Sequence, residues 1–118
     1  MRTARVTKSV AGLVEAYTYR VQWSEEDQEH IGLCAELPML SHLDRDAVKA
    51  FRGIRELVAS VVADRSARNL QSPAPLSKRR FSGVFKVRLP PDVHRNLARE
   101  AAEQGVSLNR LVSAKLAG

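Results

Sequence analysis

An α+β chain in two parts is what this sequence predicts: a small antiparallel sheet with one packed helix, then a linker, then a strand and two helices that dimerise. Three observations carry that prediction. Residues 84–89 alternate strictly, with Phe85, Val87 and Leu89 on one side and Val84, Lys86 and Arg88 on the other, which is the period of a half-buried strand. Two further alternating runs with a polar turn between them, and an amphipathic helical run after them, fill the first half. Charge divides the chain in the same way. Residues 1–64 hold 8 Lys+Arg against 10 Asp+Glu, net −2, and residues 65–118 hold 11 against 3, net +8.

Within the first half, Val6, Val10, Leu13 and Val14 have helical spacing near a basic start. A strand is expected over 16–23, where Tyr17, Tyr19, Val21 and Trp23 alternate with Thr18, Arg20 and Gln22. The polar run Ser24-Glu25-Glu26-Asp27-Gln28 is a turn, and His30 to Ala35 is the return strand of a hairpin. Pro38 interrupts the pattern, and Met39-Leu40-Ser41 is expected as a short edge strand. Asp44 is the expected N-cap of a helix whose apolar face holds Ala47, Val48, Phe51, Ile54, Val58, Val61 and Val62.

The boundaries expected are 1–64 for the sheet-and-helix domain, 65–82 for the linker and 83–118 for the last domain. Periodicity disappears in the linker, where Pro73 and Pro75 flank Ala74 and Lys78-Arg79-Arg80 is a basic run. In the last domain Pro90-Pro91-Asp92 stops the strand and starts a helix. That helix carries Val93, Leu97, Ala98 and Ala101 on one face and ends at Gly105; Ser107 caps the next, with Leu108, Leu111, Val112 and Leu116.

One strand and two helices cannot fold alone. The strand has no ladder partner, and a chain below roughly 40 residues needs help to build a core. A two-fold dimer solves both problems by pairing the two strands antiparallel over four interlocked helices. Phe85, Val87, Leu89, Val93, Leu97, Leu111, Val112 and Leu116 are the expected dimer core. The ribbon then shows Val84, Lys86 and Arg88 twice on its open face, and such a ribbon fits the major groove of double-stranded DNA. Lys86 and Arg88 are the expected base readers. Val84 offers only apolar contact, for instance to a thymine methyl. Arg79, Arg80 and the helix start at Ser107, Leu108 and Asn109 are expected on phosphate.

Catalysis is not expected. Asp27, Glu29 and Glu36 lie near strands, but Asp27 sits in an acidic turn where solvated carboxylates are normal. His30, His42 and His94 share no metal-ligand spacing. Neither a metal nor another cofactor is expected. Cys34 is the single cysteine, expected as an inert core residue, so no disulfide framework exists within the chain. With no apolar run of membrane length and no signal-peptide pattern, a cytoplasmic protein without a membrane partner is expected. The acidic turn suits a basic protein partner.

The run Phe85 to Pro90, then His94-Arg95, then Gly105-Val106-Ser107-Leu108-Asn109 resembles a ribbon-helix-helix DNA-binding domain. More narrowly it is similar to the C-terminal domain of HicB-type antitoxins. Tyr17-Thr18-Tyr19-Arg20-Val21, Trp23 to Asp27 and Ile31 to Pro38 look like the N-terminal domain of the same family, as does the helix with Asp46-Ala47-Val48 and Ile54 to Val58. Pro73-Ala74-Pro75-Leu76 before Arg80-Phe81-Ser82-Gly83 fits too, so the likeness covers about residues 17–117. The resemblance implies an N-terminal domain with a cut-down ribonuclease-H fold that binds a small ribonuclease toxin. It implies a C-terminal domain that dimerises, or assembles into a higher even oligomer, and represses its own operon. A stand-alone ribbon-helix-helix regulator without a toxin stays open beside it, as does a protein-interaction module whose basic half binds RNA or acidic protein.

Overall fold

A computed structural model describes residues 10–118, so Val6 lies outside the described residues. The chain forms two compact units, Met1–Arg80 and Phe81–Gly118. Among the described residues the architecture is α+β, with four helices and one three-stranded antiparallel sheet.

Residues 10–16 are helical (α1), over the stretch where Val10, Leu13 and Val14 have helical spacing, and take in only Ala16 of the stretch expected as a strand. The hairpin follows as β1, Tyr19–Ser24, and β2, Glu29–Cys34, with Tyr19 opposite Cys34 and Ser24 opposite Glu29. Its turn is closed by Gln28 N–H donating to Ser24 O at 2.8 Å. The third strand, β3, is Ser41–Asp44 and not Met39–Ser41; it pairs with β2, so β2 is central. Met39 is 74% exposed in the turn after Pro38, because an apolar pair beside a proline has no ladder to join until the chain has reversed.

Helix α2, Ala47–Ala67, is capped by Asp46 rather than Asp44. The Asp46 carboxylate accepts from the Val48 and Lys49 amides at 2.8 and 3.1 Å, and those bonds, the Lys49 one foremost, lower its pKa. Asp44 instead ends β3 and accepts from Asp46 N–H at 2.9 Å, so one acid holds the cap that the other makes. The buried stripe of α2 is Ala50, Ile54, Val58 and Val62, one residue every turn. Val48 and Phe51 lie off it, 66% and 41% exposed. The helix continues to Ala67, three residues into the stretch expected as linker.

The stripe closes over the sheet at Gly32. A Cβ there would stand 2.5 Å from Ala50 O and 2.8 Å from Ile54 Cγ2, so only glycine lets the helix approach this closely. The core comprises Val14, Tyr17, Cys34, Leu37, Ile54, Val58 and Val62. Each large apolar side chain fully buried here is worth roughly 1.5–3 kcal/mol. Cys34 is buried, and burial pushes its thiol pKa up, which keeps it protonated and unreactive. Tyr19 meets Phe51 edge to face at 5.9 Å, and Arg55 lies over both rings. Burial pushes the Tyr19 phenol up to about 12.

One buried charge ties distant parts of this unit together. Glu36 accepts from Thr18 N–H at 2.9 Å, Thr18 Oγ1–H at 3.2 Å and Leu76 N–H at 3.0 Å. Tyr17 Oη–H donates to Pro73 O at 2.8 Å, and Ser77 Oγ–H to Ala16 O at 3.3 Å. Residues 73–77, which run into a short 3₁₀ turn at Leu76–Lys78, are therefore strapped to the rest of the first unit. Burial alone would raise the Glu36 pKa, but the amides of Leu76 and Thr18 outweigh it and hold the carboxyl below its ordinary 4.5. The unfolded chain thus takes up this proton first. The clasp's stabilisation is complete above that ordinary value and is lost as pH falls toward the lower folded one. Glu36→Gln should cost about 1–3 kcal/mol at neutral pH. It should also flatten the acid limb of a plot of melting temperature against pH, and an acid limb identical to the native one would refute the assignment.

Candidate nucleic-acid interface

The second unit is built from two helices and an extended lead-in. Pro91 opens α3, Pro91–Gln104, at the position where a missing N–H costs nothing. Gly105 ends it in the left-handed region at φ 69°. Its N–H donates to Ala102 O at 3.2 Å and the Val106 N–H to Ala101 O at 3.0 Å, the paired bonds of a Schellman motif. Ser107 then caps α4, Leu108–Ala117, accepting from Arg110 N–H at 3.0 Å. Lys115 Nζ pairs with Glu100 Oε1 at 3.2 Å, linking the two helices.

Only Ala101 and Leu111 are buried in this unit, with Leu97 and Val112 half-buried. The other residues expected in the dimer core lie open: Phe85 73%, Val87 62%, Leu89 44%, Val93 39% and Leu116 70% exposed. Residues 84–90 form no helix and enter no ladder in the single chain. An open groove of about 450 Å³ lies between this lead-in and the helices, lined by Phe85, Val87, Leu89, Leu97, Val112 and Leu116 among others. Six of the eight expected core residues thus line one concavity, and all eight belong to one unit.

Of the expected base readers, Lys86 and Arg88 are exposed and outside the groove lining, whereas Val84, 83% exposed, lines the groove with Phe85 and Val87. The expected phosphate residues fall in two places. Ser107, Leu108 and Asn109 form the start of α4, where first-turn amides lack intrahelical acceptors. Arg79 and Arg80 close the first unit; Arg79 Nε donates to Ala74 O at 3.0 Å, so part of its guanidinium already serves the strap. Glu36 has a task that reading for catalysis missed. No local signal marks it, since its partner Leu76 stands 40 positions away.

Residues 70–116 match the model of the HicB family. The matched stretch takes in the strap and nearly all of the second unit, and it supports a HicB-type family and, in general terms, an antitoxin role. Comparison with curated proteins and with solved structures returned no match. Among the described residues no group of three His, Cys, Asp or Glu side chains converges, and no helix is long and apolar enough to cross a membrane.

Ser107→Ala tests the cap at the α4 start together with the phosphate contact expected there. It should cost about 1 kcal/mol of stability as a lost cap and weaken binding to specific and scrambled duplexes alike. Thermal melting and a DNA titration read the two effects, and a variant unchanged in both would remove both roles.

Proposed function

We propose that this chain is a non-enzymatic, DNA-binding antitoxin that neutralises a small basic ribonuclease toxin and represses its own operon as a ribbon-helix-helix dimer. The observation that carries the reading is the uncovered apolar set of the second unit around its groove. A 38-residue unit that leaves Phe85, Val87 and Leu116 open needs a second copy to complete its core. Pairing residues 84–89 across a two-fold axis satisfies their backbone groups and buries Phe85, Val87 and Leu89. The period of two then turns Val84, Lys86 and Arg88 outward together, toward a major groove.

Residues 1–64 supply the other half of the function. Their net charge of −2 adds nothing to phosphate affinity, whereas it suits a basic protein. The HicB-family match over residues 70–116 is consistent with the antitoxin part of this reading. The test has two arms. The chain should retard a duplex from its own upstream region, and the product of the adjacent reading frame should arrest growth alone but not when co-expressed with this chain. Retardation with a harmless neighbour would make the protein a stand-alone regulator, and a chain that retards no duplex would defeat the repressor.

A further inference from the structure

The apolar groove of the second unit holds one side chain that changes its charge near neutral pH. His94 lines it beside Phe85, Leu97 and Val112. Its place on α3 explains why. His94, Leu97, Ala98 and Ala101 stand at i, i+3, i+4 and i+7, so they share one face of the helix. Ala101 is buried and Leu97 half-buried, and His94 continues that face by one turn toward Pro91. In the single chain the ring is exposed. A second copy that closes the groove takes it out of water.

No carboxylate stands ready to meet its charge. Among the described residues the groove lining contains no Asp, Glu, Lys or Arg, and its polar side chains besides His94 are Asn109 and Ser113. Lys86 and Arg88 of the lead-in lie outside the lining, as do Arg110 and Lys115 of α4. On α3 itself the charged residues are Asp92, Arg95, Arg99, Glu100 and Glu103. The positions one turn from His94 are Pro90, Pro91, Leu97 and Ala98, so none of the five faces it. Arg99 instead donates to Asn96 Oδ1 at 2.6 Å, and Glu100 is held by Lys115 at 3.2 Å. A two-fold interface brings up the same surface from the other copy, so symmetry adds no carboxylate.

We propose that His94 is a pH sensor in the dimer interface: its ring must be neutral for the groove to close, so acidification takes the dimer apart and releases DNA. The inference rests on the dimer reading above and adds regulation to it. A neutral imidazole enters the closed groove with one N–H, for which Asn109 and Ser113 offer acceptors. The imidazolium brings two N–H donors and a charge that no anion there offsets. The closed dimer therefore binds fewer protons than the separated chains, and its stability is complete above about pH 6.5, where free histidine is neutral, and is lost as pH falls below that value. Symmetry buries two rings, so each pH unit on the acid side raises the dissociation constant by up to about a hundredfold. The Glu36 clasp answers to pH below the ordinary 4.5 of its carboxyl and so stays shut in this window. Charge alone predicts the opposite effect on DNA, because a more cationic chain holds phosphate more tightly.

The test follows the full chain from about pH 8 to about pH 5, the range in which histidine titrates. Sedimentation should show a native dissociation constant that is flat at the alkaline end and at least tenfold higher at the acid end. His94→Gln, which stays neutral, should dimerise with the native alkaline strength and lose the pH dependence. His30→Gln, in the first unit, should keep it. Affinity for a duplex from the chain's own upstream region should fall on acidification in the native chain and hold or rise in His94→Gln. If the native chain forms no dimer at any pH, the dimer reading falls and this inference falls with it. If the native dimer is equally tight throughout, or if His94→Gln keeps the native dependence, the dimer reading stands and His94 is not its sensor. Should His94→Gln fail to dimerise, the imidazole resonance of His94 in the native chain decides. Its titration midpoint should move to lower pH as rising concentration fills the dimer, and a midpoint independent of concentration would overturn the proposal.

Discussion

Val87→Glu is expected to abolish the dimer and, with it, the fold of the second unit. In the single chain Val87 is 62% exposed, yet it stands between Phe85 and Leu89 on the apolar side of the lead-in and lines the groove. In the proposed two-fold ribbon it would become central and be buried against its symmetry mate's helices. Losing a buried valine forfeits roughly 1.5–3 kcal/mol per chain, and the symmetry of the dimer doubles it. Burying a carboxylate without a partner adds to that cost. A loss of about 3–6 kcal/mol raises the dissociation constant roughly a hundred- to ten-thousandfold. Sedimentation from nanomolar to high micromolar concentration should show native dimer throughout and variant monomer over most of the range. Circular dichroism should show α3 and α4 reduced in the variant, because Ala101 and Leu111 alone cannot hold them. A variant monomer with full helix content would mean that the unit folds by itself and that the groove waits for some other occupant.

Local chemistry made most elements legible in the sequence. The αL glycine at Gly105 and the cap at Ser107 need only a few residues to declare themselves, and both ends are where the sequence places them. The hairpin followed from alternation, and its register from the polar turn between β1 and β2. The rest depends on contacts across the chain. Asp44 and Asp46 are equally good caps by type, and only the β3 ladder, which claims Asp44 opposite His30, decides between them. Phe51 and Val48 are apolar enough to belong to the core stripe, but the helix rolls to put Ala50 over Gly32, where close approach is possible, and leaves the larger pair at the margin. Glu36 was visible only as a carboxylate beside a strand, since its amide partner at Leu76 is brought to it by the whole length of α2 and the turn beyond. At the candidate interface residues 84–89 have the alternation of a strand but enter no ladder in the single chain, where no neighbouring strand offers them backbone partners; the second copy that would supply one is the proposal.

Arg88→Ala is expected to change which DNA the protein prefers, and not merely how tightly it holds DNA. The argument starts from register. Phe85, Val87 and Leu89 share the groove, so a two-residue period sends Lys86 and Arg88 to the opposite side, and a one-residue slip would bury both cations and expose the phenylalanine. Arg88 carries a planar fork of donors that matches the two acceptors on the major-groove edge of guanine; Lys86 reaches the same edge as a point charge with less geometric demand. Removing the fork should cost roughly 1–3 kcal/mol on the specific duplex and relax the base preference at one position of each half-site. Arg80 gives the contrasting case. It belongs to the exposed basic run that ends the first unit, and a phosphate contact there carries no sequence information. Arg80→Ala should therefore weaken specific and scrambled duplexes alike and lower the slope of log affinity against log salt by about one unit. Titrating native chain and both variants against the two duplexes at several salt concentrations separates the classes in one experiment. Equal losses on both duplexes for Arg88→Ala would assign that arginine to phosphate and leave the ribbon without its principal base reader.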